Sequence, residues 1–149
     1  MELEFFTESP QKTEEVGELL ARKLDAGGIT RAFIAMRGEM GVGKTAFVRG
    51  FSRHFDISGV RSPTYAIVNE YRGGGASVFH FDMYRIESED DLFSIAFDDY
   101  VMRDGYCIAE WSENISDFIP EDAIFVTISR DASNPDARSI KIDTGELSI

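Results

Sequence analysis

An α/β fold, with helices layered on both faces of a mixed sheet, is predicted by three features of this 149-residue sequence. A short apolar run, Ala32-Phe33-Ile34-Ala35-Met36, leads into the octapeptide Gly38-Glu39-Met40-Gly41-Val42-Gly43-Lys44-Thr45. Phe47, Val48, Phe51 and Phe55 then recur at helical spacing, so the order is buried strand, glycine turn, helix. Further on, two pairs of β-rich runs each bracket a turn, which adds antiparallel hairpins to the crossover unit. A chain of this length, 1–149, is expected to be one domain that buries about two-thirds of its unfolded surface.

From the start of the chain, residues 3–7 read as a short strand and Ser9-Pro10 as a helix start, serine at the N-cap and proline at the first helical position. Val16, Leu19, Leu20 and Leu24 form one apolar stripe that Gly27-Gly28 ends, which describes an amphipathic cover helix. After the glycine-rich unit, Ser62-Pro63-Thr64 precedes the β-rich run 65–72. Gly73-Gly74-Gly75 turns it into Ser77 to Tyr84, the first hairpin. The acidic stretch 87–91 suits a helix N-terminus ahead of Leu92, Phe93 and Ile95, either as a solvated start or as a docking surface. Residues 101–105 close that helical region, and Tyr106 to Glu110 is a buried strand that ends in an acid. Ala123 to Ser129 and Arg138 to Ile142, joined by the polar turn 131–136, make the second hairpin.

The octapeptide fits G-x-x-x-x-G-K-[ST], the phosphate-binding P-loop pattern, so the expected architecture is a P-loop NTPase-like three-layer fold. A loop wrapped round phosphate oxygens turns its backbone N–H groups inward, which needs the conformational freedom of Gly38, Gly41 and Gly43. Glu39, Met40 and Val42 complete the loop. Lys44 would set its charge on the β- and γ-phosphates, and the Thr45 hydroxyl is a hard oxygen ligand suited to Mg²⁺.

Charge is uneven in a way that narrows the ligand. Residues 31–85 carry eight Lys/Arg against four acids, a net of +4, and the remainder carries seven against 23, a net of −16. A basic centre suits a polyphosphate, whereas the acidic remainder repels a nucleic-acid backbone, so any RNA contact is expected only through a more basic partner. The single cysteine, Cys107, cannot form an intramolecular disulfide and sits in an apolar run, as a buried thiol in a reducing compartment would. No signal-like start and no run of membrane-spanning length is present, which predicts a cytoplasmic protein without membrane contact.

A P-loop needs a second magnesium support, normally an acid ending a neighbouring apolar strand, and both Asp82 and Glu110 meet that description. Thr64 could place its hydroxyl on the γ-phosphate and metal as a switch segment does, or Ser-Pro-Thr could merely turn the chain. His80, in an apolar-flanked strand, reads as a satisfied core residue more readily than as an acid or base. Trp111 is either core or a lid over the nucleotide. No Asn-Lys-x-Asp guanine-reading motif occurs, and the segment from Thr7 to Thr13 could reach the base.

In order, Gly-Glu-Met-Gly-Val-Gly-Lys-Thr (38–45), Ser-Pro-Thr-Tyr (62–65), Val-Asn-Glu-Tyr (68–71), His-Phe-Asp-Met-Tyr-Arg (80–85) and Ala-Glu-Trp-Ser-Glu (109–113) strongly resemble the TsaE family, formerly YjeE. These are the small ATPases required for threonylcarbamoyladenosine (t⁶A) formation in bacterial tRNA. The resemblance spans nearly the whole chain. It implies Mg²⁺-dependent ATP hydrolysis that is weak in isolation and docking on a TsaB–TsaD complex. It also implies phosphate and metal roles for Lys44 and Thr45, a switch-like Thr64, functional acids Asp82 and Glu110, and Trp111 beside the second acid. The chain departs from the commonest family pattern at Tyr65, Met83 and Ser112 and in the turns at 73–75 and 131–136, none of which touches the proposed phosphate or metal ligands. The competing readings are a small-molecule P-loop kinase, for whose acceptor lid little chain is left, and a nucleotide-dependent binding module without turnover. Between the acids, Glu110 is expected to support magnesium, directly or through a bound water, and Asp82 to sense the γ-phosphate or orient the attacking water.

Overall fold

The computed structural model describes residues 1–39, 42–63 and 67–149. Met40 and Gly41 of the glycine-rich loop, and Thr64 with its two successors, lie outside the described residues, so the expectations placed on them are not addressed by the geometry. The described strands are β1 (Glu2–Thr7), β2 (Arg31–Arg37), β3 (Val68–Gly73), β4 (Ala76–Asp82), β5 (Gly105–Glu110), β6 (Ile124–Arg130) and β7 (Arg138–Asp143). The helices are α1 (Pro10–Ala26), α2 (Lys44–Arg53), α3 (Glu89–Ser94) and α4 (Phe97–Met102), with a 3₁₀ segment at Ser112–Phe118.

One mixed sheet runs β1-β7-β6-β2-β5-β4-β3. Its centre is parallel: β2 lies between β5 and β6, and β5 between β2 and β4, all in the same sense. Both predicted hairpins, β3–β4 and β6–β7, are antiparallel, and β1 adds antiparallel to β7 at one edge. This is the predicted α/β class with its mixed sheet.

Period-two alternation sorts the central strands onto two cores. Ile34 and Met36 of β2, Val78 of β4 and Tyr106 and Ile108 of β5 face α1 and α2, where they meet Leu20, Leu24, Phe47 and Phe51. Phe33 and Ala35, Phe79 and Phe81, and Cys107 and Ala109 face the opposite side with Leu92, Phe97 and Ile115. Strands covered on both faces read as continuous apolar runs, which is why β2 and β5 were visible in the sequence. The Cys107 thiol is 3% exposed and donates to the Tyr100 carbonyl at 3.5 Å, and burial pushes its pKa up to about 12.

α1 starts as predicted: the Ser9 hydroxyl accepts from the Lys12 N–H at 3.2 Å, Pro10 is the first helical residue, and the helix ends before Gly27. It crosses α2 at very short range. A Cβ on Gly17 would lie 2.1 Å from the Phe47 carbonyl oxygen, and one on Gly50 would lie 1.8 Å from that of Glu14. Arg53 also bridges to Glu14 and Glu18 at 3.0 and 2.9 Å, but surface pairs of this kind contribute at most about 1 kcal/mol, so the glycine crossing sets the packing.

Two expectations need correction. The helical region after the acidic stretch is two short helices, because Ala96 takes a left-handed conformation (φ 56°) between α3 and α4. Ser88 caps α3 by accepting from the Asp91 N–H at 3.3 Å, and Phe93 is left exposed. Phe55 lies beyond the end of α2, where its ring stacks on Tyr106 with centroids 5.1 Å apart. Among the described residues no helix is long and apolar enough to cross a membrane.

Candidate nucleotide site at the carboxyl edge of the sheet

The parallel strands β2, β5 and β4 end on one edge, where open α/β sheets place their ligands. Gly38 follows β2 with φ 141°, and a Cβ there would sit 2.4 Å from the Ile128 carbonyl oxygen, so only glycine lets the chain leave the strand at this angle. Gly43 is left-handed (φ 109°, ψ 18°) and starts α2, whose N-terminus has no side-chain cap. The first-turn N–H groups of an uncapped helix make an anion-binding end. Val42 is buried, and its carbonyl accepts from Arg138 Nε on β7 at 2.9 Å, which braces the loop from the second hairpin.

Lys44 is 5% exposed. Its ammonium donates to the Gly38 carbonyl at 2.9 Å and lies 4.7 Å from the centre of the Trp111 ring. Among the described residues it makes no ion pair with a carboxylate, which leaves a nearly buried positive charge in a glycine cradle. Thr45 follows it, half-buried, in the first turn of α2.

Both candidate acids are on the same edge. Asp82 ends β4 and pairs in register with Glu110 at the end of β5. By alternation from Val78 and Ile108, both fall on the sheet face that α1 and α2 cover. Asp82 is half-buried, and its Oδ1 accepts from the Tyr84 N–H at 2.9 Å. Glu110 is 8% exposed, and its Oε2 accepts from Nε2 of the fully buried His80. Trp111 is left-handed (φ 57°), half-buried, over Lys44 and beside the exposed Tyr84 (ring centroids 5.0 Å apart). The tryptophan is thus part of the loop's wall. Ser112, fully buried, donates to the Met36 carbonyl at 2.9 Å and ties this turn to the strand that launches the loop.

Thr45, Asp82 and Glu110 are hard oxygen donors, the chemistry that Mg²⁺ takes. Among the described residues no group of three or more His, Cys, Asp and Glu side chains could hold a metal on its own. The donor set therefore fits a cation that completes its shell with phosphate and water. Thr13 of the Thr7–Thr13 segment lies beside Gly43: its buried hydroxyl is hydrogen-bonded to that of Thr7 at 3.0 Å, and a Cβ on Gly43 would lie 3.8 Å from Thr13 Cγ2.

Sequence reasoning named Lys44, Thr45, Asp82, Glu110 and Trp111 but missed the parts that hold them. Ser112 and Arg138 gave no signal, since each acts on backbone 76 or 96 positions away. His80 was visible as a polar residue in an apolar strand, but its link to Glu110 was not.

A seven-stranded mixed sheet with a glycine turn between a central parallel strand and an uncapped helix defines an α/β protein of the P-loop NTPase-like class. The family profile described as "Threonylcarbamoyl adenosine biosynthesis protein TsaE" matches residues 7–140. The TsaE protein of Bacillus subtilis (strain 168) is 31% identical over 130 residues, covering 87% of this chain and 78% of that protein. The TsaE protein of Haemophilus influenzae is 36% identical over 110 residues, covering 73% and 68% respectively. The crystal structure of Bacillus subtilis YdiB superposes with a TM-score of 0.79 at 26% identity over 97% of this chain and 87% of that one. The chain belongs to the TsaE family of tRNA threonylcarbamoyladenosine biosynthesis proteins.

Proposed function

We propose that this chain is a Mg²⁺-dependent ATPase that docks on the TsaB–TsaD complex and supports t⁶A modification of tRNA, reaching the tRNA only through those partners. The observation that carries the nucleotide reading is Lys44: a nearly buried ammonium with no ion-pair partner among the described residues, between the Gly38 carbonyl and the Trp111 ring. An unpaired buried charge is costly, and an anion in the cradle offsets that cost.

With ATP in place, Lys44 and the first-turn N–H groups of α2 bind the β- and γ-phosphate oxygens. Thr45 and Glu110 would hold Mg²⁺, Glu110 directly or through a water, and Asp82 senses the γ-phosphate or orients the attacking water. The metal, when bound, neutralises charge that develops on the transferring phosphoryl group. Thr64 is assigned the switch role from the family pattern. Trp111 shields the lysine from solvent, which strengthens its attraction for phosphate.

The test is phosphate release to water by the purified chain, alone and with purified TsaB–TsaD, set against phosphoryl transfer to nucleosides or sugars. We expect slow release alone and faster release with the complex. Stoichiometric transfer to a small acceptor would replace the ATPase reading with a kinase. Nucleotide binding with no turnover in any mixture would leave a binding module.

A further inference from the structure

We propose that His80 is a positioning residue for Glu110, and that Tyr71 ties this pair to the backbone at Arg61, so that the acid and the loop at Arg61 are set together. The inference rests on the proposed metal role of Glu110. His80 is 0% exposed in the middle of β4, and a buried imidazole requires partners. Its Nε2–H donates to Glu110 Oε2 on the neighbouring strand. Its Nδ1 faces the Tyr71 hydroxyl at 3.5 Å, the long end of hydrogen-bonding range.

Tyr71 in turn clamps Arg61. Its one proton is donated either to the Arg61 carbonyl at 2.9 Å or to His80 Nδ1, which is an acceptor when Nε2 carries the proton, and its oxygen accepts from the Arg61 N–H at 3.2 Å. Asn69, which pairs in register with His80, donates to the same carbonyl at 3.3 Å and to the Tyr71 oxygen at 3.2 Å. These contacts form one transverse line on the α2-facing side of the sheet: the Arg61 backbone, Tyr71 and Asn69 on β3, His80 on β4, Glu110 on β5. Three adjacent strands contribute, and β3 is the sheet edge, so the line joins an exposed loop to a nearly buried carboxylate.

A carboxylate held through one oxygen keeps lone pairs on the other for a metal or its water, and loses that aim when the holding group is removed. Tyr71→Phe deletes only a half-exposed hydroxyl and leaves the packing in place, so it reads the line without unfolding the protein. His80→Leu removes the direct contact, and His80→Gln restores a donor.

The experiment measures the magnesium concentration needed for half-maximal binding of a fluorescent ATP analogue, with melting of the ligand-free protein recorded for each variant. His80→Leu is expected to raise that concentration by about tenfold or more. His80→Gln should recover part of the loss, and Tyr71→Phe should shift it in the same direction by less. Combining Tyr71→Phe with Glu110→Ala should add nothing to the effect of Glu110→Ala. An unshifted magnesium requirement in folded His80→Leu, or full additivity of Tyr71→Phe with Glu110→Ala, would overturn the inference and leave His80 as packing. Failure of the nucleotide reading itself would show in the unmutated protein, as no magnesium-dependent binding of the analogue, and is thereby told apart from failure of the line.

Discussion

At the scale of single residues, Lys44 carries a nearly buried charge that, under the proposed nucleotide reading, an anion would stabilise. It gains a charge-assisted hydrogen bond to the Gly38 carbonyl and a cation–π contact with Trp111, together worth about 2–4 kcal/mol, while desolvating an ammonium costs several. Lys44→Met keeps the length and removes the charge, so its ligand-free melting temperature should be no lower than that of the parent. A rise with MgATP is expected in the parent under the proposed nucleotide reading, and it should be absent in the variant. Calorimetric or fluorimetric melting with and without MgATP checks both halves, and a variant that melts lower yet still responds to nucleotide would contradict the argument. This residue was legible because the proposed phosphate loop holds its chemistry within one octapeptide. Glu110 was legible as a strand-end acid. What steadies it was not, since His80 is 30 positions away and only the β4–β5 register brings the two together.

At the scale of elements, the glycine crossing of α1 and α2 sets how closely the two helices pack. Alanine favours a helix interior over glycine by about 1 kcal/mol, so propensity alone would make Gly50→Ala stabilising. The added Cβ would meet the Glu14 backbone oxygen at 1.8 Å, and no rotamer change relieves a backbone clash. Overpacking of this kind costs about 1–3 kcal/mol or more, so the clash wins and thermal denaturation should show a lower midpoint. An unchanged or raised midpoint would mean that the helices separate without strain. Because α1 also carries Thr13 to the loop, ATP affinity is expected to fall along with stability. The helices and strands themselves were readable from local pattern: the Ser9-Pro10 start, the apolar run of β2, the glycine turn between β3 and β4. The placement of β1 against β7 was not, because an edge pairing between strands more than 130 positions apart leaves no local trace. Nor was the break at Ala96, where the backbone turns left-handed without a glycine to announce it.

At the scale of the whole molecule, the net charge of −12 is concentrated outside residues 31–85. A phosphate backbone approaching most of this surface is repelled, so purified chain should show no measurable binding to tRNA at physiological salt. Fluorescence titration with labelled tRNA tests this, and binding that weakens steeply with added salt would reveal a basic surface strong enough to act alone. The Cys107 thiol has a consequence of another kind. Burial holds the pKa of the native thiol at about 12, whereas in an opened chain it ionises near 9, so a thiol-specific dye meets far more of the reactive thiolate when the sheet around it has opened. Since this is the sole cysteine, every labelled molecule records one such excursion. The protein carries its own clock for transient opening, sited in the strand that ends at Glu110.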